Sequence, residues 1–144
     1  MDRLQTLPDP DFLYVADFEP DHQNLYARLF SDVVWDERIR ARKTASFGTP
    51  YNYSGLTYAA VPMPDSIAGM GARVAARLGW TANNALLNFY PDGRSTMGYH
   101  PDEIDNLEPG TGIAIVSLGT ERAIRFRAVA DKTRIIERRL GSGS

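Results

Sequence analysis

The sequence predicts a mainly β fold with two helices, on three observations. From residue 81 onward, short apolar runs alternate with Gly, Pro and Asp, which is the punctuation of strands joined by turns. Two segments of the first half instead carry apolar residues at helical spacing. The length of 144 residues suits one domain with a single core. We therefore expect one domain, residues 1–144, in which a helical part (1–80) precedes a β core (81–144).

The first predicted helix runs from Asp21 to about Ser31, and both ends are consistent with helix chemistry. Asp21 is a residue type that caps helix N-termini, since a side-chain oxygen can accept a free backbone N–H of the first turn. Apolar side chains then recur at helical spacing at Leu25, Leu29 and Phe30. We expect this helix to pack on the core.

The second predicted helix, from about Ser66 to Leu78, has the clearer pattern. Asp65 can cap its start after Pro64, and Gly79 stands where the chain would leave the helix, a position that favours glycine. One stripe of the helix is apolar and consists of Ile67, Met70, Val74 and Leu78. We interpret this helix as a second packing element.

The β core is predicted from the runs ALLNFY, PDGRSTMGYH, GIAIVSLG, AIRFR and TRIIERRL. In AIRFR, Ile124 and Phe126 alternate with arginines, as in a strand with one face on the core. The run IAIVSL has no polar alternation and is typical of a strand buried on both faces. The second half is therefore predicted to be a sandwich or barrel.

Composition excludes several classes of site and protein. With no cysteine, disulfides, thiolate metal ligands and a cysteine nucleophile are excluded. A formal charge of -2 argues against coating nucleic acid by bulk charge, although a local basic patch stays possible. No apolar run approaches the roughly 20 residues of a membrane span, and the N-terminus lacks the apolar stretch of a secretory signal. We expect a cytoplasmic protein.

The stretch GYHPDE contains a candidate metal site. In an extended segment, His100 and Asp102 would point to the same face, so that one nitrogen and one oxygen could reach a single ion. An open ferrous site commonly uses two histidines and one carboxylate, so a third ligand is needed. The other histidine of the chain is His22, in the first predicted helix, and nothing in the sequence places it near residue 100.

Around this H-x-D, the segments NALLNFYPDG and LEPGTGIAIVSLGTERAIRFR resemble the AlkB-type dioxygenases, which use ferrous iron (Fe²⁺) and 2-oxoglutarate. RKTASFGTPYNYSG is similar to the substrate-side segment of that family. The resemblance covers residues from about 30 to the C-terminus. It implies a double-stranded β-helix, a jelly-roll or cupin-like sandwich, within which residues 1–80 hold the helices and the substrate side.

The resemblance also implies roles for individual residues. His100 and Asp102 match two iron ligands of the family. Asn88 and Tyr90 match positions that hydrogen-bond 2-oxoglutarate, and spacing by two puts their side chains on one face of a strand. An asparagine buried in such a strand needs a partner, which favours a ligand over plain core packing.

On the substrate side, Tyr51 and Tyr53 match positions that grip a flipped-out base. For Tyr51, packing on the core is nearly as well supported as contact with a flipped-out base. Further substrate contacts are implied for Ser54, Arg42 and Lys43. The basic run that also includes Arg38 and Arg40 could neutralise phosphates, although by itself such a run is more often a solvated face.

The chain departs from the family pattern at its end. In the family, a Leu-x-x-Gly-Ser segment leads into a further strand, then the distal iron histidine and two arginines that bind 2-oxoglutarate. Here the sequence ends RRLGSGS, which matches that lead-in and also resembles an engineered linker. We expect the C-terminal strands and the third iron ligand to be missing, in a fragment or a truncated reading frame, with weak iron binding and little or no turnover.

By resemblance, the complete enzyme would demethylate alkylated bases in DNA or RNA oxidatively, with alkylated nucleic acid as its partner, no membrane and a monomeric state. Two alternatives stay open. One is a catalytically inactive nucleic-acid-binding protein that lacks a complete iron site. The other is an oxygenase that acts on proteins or small molecules.

Overall fold

Two helices and six strands form the regular structure of the residues described by the computed structural model, namely 12–50, 52–53, 56–102, 105 and 107–144. In chain order they are α1 (His22–Asp32), β1 (Lys43–Gly48), β2 (Asn52–Tyr53), β3 (Leu56–Thr57), α2 (Asp65–Leu78), β4 (Asn84–Phe89), β5 (Arg122–Arg127) and β6 (Ile135–Leu140). The strands form three antiparallel pairs, β1 with β4, β2 with β3 and β5 with β6. Within the described residues this is a mixed architecture of small antiparallel sheets without a closed barrel, so the jelly roll itself is not observed.

The chain divides into two compact units, and the division falls within α1, after Tyr26. The first unit comprises the described residues up to Tyr26 together with Val116–Ser144, and it contains β5 and β6. The second unit, Ala27–Ile115, contains β1 to β4 and α2. The expectation of a single domain over residues 1–144 stays a prediction. No helix in the described ranges is long and apolar enough to cross a bilayer.

Helix α1 starts where the sequence predicts. Asp21 directly precedes it, and the Asp21 carbonyl accepts the backbone N–H of Leu25 at 3.0 Å. The Asp21 carboxylate accepts a hydrogen bond from the Asn24 side chain at 2.7 Å. Leu25 and Leu29 are buried, whereas Phe30 is 57% exposed, so two of the three predicted packing residues lie in the core.

Helix α2 begins one residue earlier than predicted. Its N-cap is Pro64, not Asp65, and no side chain caps it. The Pro64 carbonyl instead accepts the backbone N–H groups of Ile67 and Ala68 at 3.0 and 2.9 Å, which satisfies part of the first turn. At the other end, Gly79 adopts a left-handed conformation (φ 79°) and its N–H bonds to the Ala75 carbonyl. This glycine cap is confirmed.

In the second unit, β1 and β4 form the longer ladder, with a register that runs from Lys43 opposite Phe89 to Gly48 opposite Asn84. β4 was predicted, but β1 was not. At the far end Gly48 has φ 85°, and a Cβ there would overlap the carbonyl oxygen of Asn83. Only glycine fits this position without backbone movement.

One face of this ladder contacts aromatic side chains of the same unit. The ring of Phe89 lies 5.6 Å from that of Phe30, edge to face, and 5.3 Å from that of Trp35. Phe47 and Leu87 occupy the same face as Phe89, because side chains alternate along each strand. This apolar face leaves the opposite face of the ladder for polar side chains.

In the first unit, β5 and β6 form a hairpin that confirms the predicted alternation. Ile124 and Phe126 are half-buried, whereas the arginines between and beside them are exposed. Phe126 stacks on Phe12 with ring centroids 5.1 Å apart. This face of the hairpin is therefore its packed side.

The prediction of a buried strand over IAIVSL is wrong. Residues 111–118 have no strand assignment in the structure, and the side chains of Ile113 and Ile115 are 51% and 58% exposed. A strand needs a hydrogen-bonded neighbour, and none of the strands in the described part of the chain pairs with this run. An apolar run thus indicates burial only where a sheet neighbour is available.

We expect Ile67→Ala to lower the free energy of unfolding by about 2–5 kcal/mol, because Ile67 is only 2% exposed and truncation leaves a cavity. Leu78 lies on the same helix but is 39% exposed, so Leu78→Ala is a matched control with a loss below about 1 kcal/mol. Urea titration followed by circular dichroism measures both. Equal losses in the two variants would show that α2 does not pack through Ile67.

Candidate active site

The polar face of the β1–β4 ladder is buried. Thr44 is completely buried and Ser46 is 8% exposed, and both lie on the face opposite to Phe47. The hydroxyl groups of Thr44 and Tyr58 hydrogen-bond at 2.7 Å, and Ser46 Oγ accepts a bond from Asn84 Nδ2 at 3.1 Å. Burying such groups is unfavourable unless they are hydrogen-bonded. Their mutual bonds hold this face in a fixed arrangement.

Arg42 and Asn88 meet at one end of this face. Asn88 lies opposite Thr44 in the ladder, and Arg42 precedes Thr44 by two residues, which makes it a diagonal neighbour of Asn88. Arg42 Nε donates to Asn88 Oδ1 at 2.8 Å, and the Arg42 residue is 6% exposed. The amide group of Asn88, predicted to bind 2-oxoglutarate, is thus held by a buried cation.

The chain that follows β4 returns to this end of the ladder. Tyr90 is half-buried and lies one residue beyond the strand, so its sharing a face with Asn88 stays a prediction. Asp92 then accepts backbone N–H bonds from Arg94 and Ser95 at 2.8 and 3.2 Å, which closes a turn. The following residue, Thr96, donates its backbone N–H to the Ala41 carbonyl at 3.1 Å.

The hydrogen bond between Thr96 and Ala41 limits where the H-x-D can lie. Ala41 is the residue before Arg42, and His100 comes four residues after Thr96. Four residues span at most about 14 Å, so His100 lies within that distance of Thr96, which is bonded to the residue before Arg42. The predicted cosubstrate and metal residues therefore belong to the same unit.

The structure brings His100 and Asp102 together, although they lie on irregular chain and not at the predicted strand end. His100 Nε2 is 3.6 Å from Asp102 Oδ1, with side-chain exposures of 32% and 54%. The other ring nitrogen, Nδ1, lies 2.8 Å from the Gly98 carbonyl oxygen. A carbonyl only accepts hydrogen bonds, so Nδ1 carries the proton, and in the neutral ring the lone pair is on Nε2.

This arrangement fits a divalent cation. The lone pair of Nε2 and a carboxylate oxygen face each other, and both are acceptors. Two donor atoms that are each about 2.1 Å from one ion lie roughly 3–4 Å apart, which includes the observed 3.6 Å. Metal-bound histidines commonly donate their second N–H to a backbone carbonyl, as His100 does to Gly98.

A third ligand is not found in the described ranges, where no group of three or more His, Cys, Asp or Glu side chains could hold one ion. His22 belongs to the first unit, and its Nδ1 lies 2.6 Å from Ser142 Oγ. That serine also accepts the backbone N–H of Gly119 at 3.0 Å. The structure thus gives His22 a local hydrogen bond in its own unit.

The basic run makes mostly internal contacts. Arg38 Nε donates to Asp36 at 2.7 Å, and its guanidinium lies 5.7 Å from the centre of the Tyr58 ring. Lys43 Nζ is 2.9 Å from Glu37, whereas Arg40 is exposed. The role of Arg42 and Lys43 in substrate binding stays a prediction. The side chain of Arg42 is buried and donates to Asn88.

Two hydrogen bonds from Arg38 to the Asp36 carboxylate, from the side chain and from the backbone N–H, lower the pKa of Asp36 below its ordinary value. The same contact raises the pKa of Arg38. Both groups stay charged near neutral pH. Asp36 also exchanges two backbone hydrogen bonds with Thr44 of β1, at 2.7 and 3.0 Å. The Asp36–Arg38 ion pair therefore stabilises the segment that leads into β1.

Of the residues predicted to contact the base, only Tyr53 belongs to the described part of the chain. Tyr51 and Ser54 lie outside the described residues. Tyr53 is in β2, where its backbone pairs with that of Leu56. Their roles stay predictions.

The buried polar face of the ladder was not predicted from the sequence. Its members are Thr44, Ser46 and Asn84, with Tyr58 hydrogen-bonded to Thr44. The signal was the alternation of polar and apolar residues in KTASF, which is typical of a strand with one polar face. Without knowledge of β4 as its partner, this short segment is ambiguous.

A cavity of about 560 Å³ also lies in the second unit. It is lined by the second half of α1, β1 and the segments around Tyr58 and Pro64. Thr44 and Ser46 are on its wall, but His100, Asp102, Asn88 and Tyr90 are not. The cavity therefore does not coincide with the candidate metal site.

Comparison with known proteins gives the family context. The sequence profile described as the 2OG-Fe(II) oxygenase superfamily matches residues 22–144. The chain is 38% identical over 89 residues to mouse "DNA oxidative demethylase ALKBH2", which covers 60% of the chain, and 37% identical over 89 residues to the human protein of the same name. It is 31% identical over 112 residues, 69% of the chain, to rat "Alpha-ketoglutarate-dependent dioxygenase alkB homolog 3".

These matches cover only part of each relative. The matched segments make up 37%, 34% and 38% of the mouse, human and rat proteins. The chain thus spans little more than a third of the length of these relatives.

We expect Arg38→Met to lower the urea midpoint near neutral pH, because the bonds to Asp36 stabilise the fold only while Asp36 is ionised. A lowered folded-state pKa means that this contribution is present above the ordinary aspartate pKa of about 4 and is lost as the pH falls through the lowered pKa. The difference from wild type should therefore decrease in acid, where the variant still lacks only the contact of Arg38 with the Tyr58 ring. Arg40→Met, at an exposed position of the same run, is the control and should not change the pH profile. A difference for Arg38→Met that persists unchanged in strong acid would contradict the ion pair.

Proposed function

Because the chain belongs to the 2OG-Fe(II) oxygenase superfamily, we propose that it is an iron- and 2-oxoglutarate-dependent oxygenase that removes alkyl groups from bases of DNA or RNA. The observation that carries the proposal is the convergence of His100 Nε2 and Asp102 Oδ1 at 3.6 Å, with Nδ1 hydrogen-bonded to Gly98. The pair of His100 and Asp102 lies in the same unit as Asn88.

His100 and Asp102 would hold the metal, and their donor set suits it. A neutral imidazole and a carboxylate are ligands that ferrous iron accepts, and they leave other coordination positions open for cosubstrate and oxygen. The carbonyl of Gly98 fixes the tautomer and the ring orientation of His100. Their separation of 3.6 Å is within the range of two atoms that bind one ion.

Asn88 and Tyr90 would bind 2-oxoglutarate through side-chain N–H and O–H groups. This cosubstrate has two carboxylates and a keto group, so it presents only acceptors, and donors such as an amide N–H and a phenol O–H complement it. Asn88 Oδ1 is already engaged by Arg42, which leaves the Nδ2 end of the amide for a ligand.

With iron and 2-oxoglutarate bound, the chemistry supplied would be activation of oxygen and hydroxylation of an N-methyl group, which then leaves as formaldehyde. The protein's own contribution is to bind and orient the partners. The target base would have to be turned out of its stack to reach the iron, and Tyr51 and Tyr53 are the residues proposed to hold it. Ser54, Arg42 and Lys43 are further proposed substrate contacts.

The names of the relatives support nucleic acid as the substrate class. Two of them are called DNA oxidative demethylases, and each is similar to the chain over 89 residues. We extend the proposal to the double-stranded β-helix as the complete fold, to alkylated DNA or RNA as the partner of a monomer, and to the cytoplasm as its location.

The first test is metal binding by His100 and Asp102. Titration of the wild-type chain with Mn²⁺, followed by electron paramagnetic resonance, should show binding that is at least tenfold weaker in His100→Ala and in Asp102→Ala, since each variant removes one of the two ligands. His22→Ala is the matched control, because it removes the other histidine of the chain, and it should bind as wild type does. Equal binding by wild type and His100→Ala would refute the assignment of the metal ligands.

The second test compares substrates. The protein is incubated with ferrous iron, 2-oxoglutarate and oxygen, together with oligonucleotides or a peptide that carry isotopically labelled N-methyl groups. The isotope label allows even slow release of formaldehyde to be measured. We expect release from methylated DNA or RNA that His100→Ala lacks. Release from the methylated peptide alone would favour an oxygenase of proteins. Affinity for single-stranded DNA that survives iron chelation, without any release, would favour a binding protein.

A further inference from the structure

The hydrogen bond between Arg42 and Asn88 determines which way the Asn88 amide faces. An asparagine amide has an accepting oxygen and a donating NH₂ group of nearly the same size, so two orientations related by a half-turn fill the same space. A guanidinium group only donates. Because Arg42 Nε lies 2.8 Å from the amide, it selects the orientation with Oδ1 toward Arg42 and Nδ2 directed away.

We propose that Arg42 is a positioning residue for the cosubstrate. By holding Oδ1, it presents the NH₂ group of Asn88 to 2-oxoglutarate, whose oxygens can only accept. This inference rests on the proposed function, in which Asn88 binds 2-oxoglutarate. It assigns to Arg42 an effect on the cosubstrate that is distinct from a contact with nucleic-acid phosphates.

The surroundings of Arg42 keep its side chain in this position. The preceding residue, Ala41, accepts the backbone N–H of Thr96 at 3.1 Å. Two residues later, Thr44 is completely buried and hydrogen-bonded to Tyr58 at 2.7 Å. Arg42 therefore lies between two hydrogen-bonded residues, Ala41 and Thr44, and it is only 6% exposed. Arg40, by contrast, is exposed.

Removing the donor should weaken cosubstrate binding without removing the site. In Arg42→Met the amide of Asn88 is free to turn, and only part of the population presents its NH₂ group to the ligand. The charge-assisted hydrogen bond that polarises the amide is lost as well. We expect an increase in the dissociation constant for 2-oxoglutarate on the order of tenfold, the factor that such a bond contributes.

The test is calorimetric titration of the Mn²⁺-loaded 144-residue chain with 2-oxoglutarate, in wild type and in five variants. Arg42→Met should bind more weakly, and Arg42→Lys should recover most of the affinity because its ammonium group can also donate to Oδ1. Arg40→Met is the matched control and should bind as wild type. Asn88→Ala should bind weakly, and adding Arg42→Met to it should cause no further loss, since Arg42 acts through Asn88.

A measurement on wild type keeps the inference testable if Arg42→Met does not fold. In nuclear magnetic resonance spectra, the Nε–H proton of Arg42 should exchange slowly with water, because it is buried and bonded. The NH₂ signals of Asn88 should shift when 2-oxoglutarate is added. Fast exchange of the Arg42 Nε–H, or unshifted Asn88 signals while 2-oxoglutarate binds, would overturn the inference.

The outcomes separate this inference from the proposed function. If wild type does not bind 2-oxoglutarate, both fail. If wild type binds and Asn88→Ala does not, while Arg42→Met binds as wild type, only the positioning role of Arg42 fails. The same holds if Arg42→Met weakens binding equally in the presence and absence of the Asn88 side chain.

Discussion

The register of the β1–β4 ladder is the constraint on which the candidate site depends. It sets Thr44 opposite Asn88, and it puts polar side chains on one face and Phe47, Leu87 and Phe89 on the other. A slip of one residue would exchange the two faces, placing the aromatic side chain of Phe89 where Asn88 now meets Arg42. The hydrogen bonds of Asn84 to Ser46 and of Arg42 to Asn88 oppose such a slip, because they would be lost together.

From this ladder the rest of the site follows through short connections. The turn at Asp92 and the bond from Thr96 to Ala41 return the chain to the start of β1, and His100 and Asp102 come together on the irregular chain that follows. A nitrogen and an oxygen that both offer lone pairs lie 3.6 Å apart there, in the same unit as the Asn88 amide group that a buried cation holds. Such a set of groups is suited to a metal ion with an anionic cosubstrate, which is the chemistry of the superfamily to which the chain belongs.

The sequence predicted the elements whose signals are local. Both helices, the glycine cap at Gly79, β4 and the β5–β6 alternation are confirmed, because spacing and capping chemistry are written in neighbouring residues. The pairing of β1 with β4 and the Arg42–Asn88 bond join residues 46 positions apart, and no local pattern contains that information. The prediction of a buried strand over IAIVSL was wrong for the same reason, because burial of a strand depends on neighbours that its own residues do not specify. The spacing of His100 and Asp102 did predict their proximity.

The proposed activity requires that a single centre formed with His100 and Asp102 binds ferrous iron and 2-oxoglutarate together. Anaerobic titration with ferrous iron in the presence of 2-oxoglutarate measures this joint binding, because a visible charge-transfer band arises only when the two are bound to each other. We predict a band that develops at high iron concentration in wild type and is absent in His100→Ala. A wild-type chain without the band when iron and 2-oxoglutarate are both in excess, or the same band in His100→Ala, would contradict the claim.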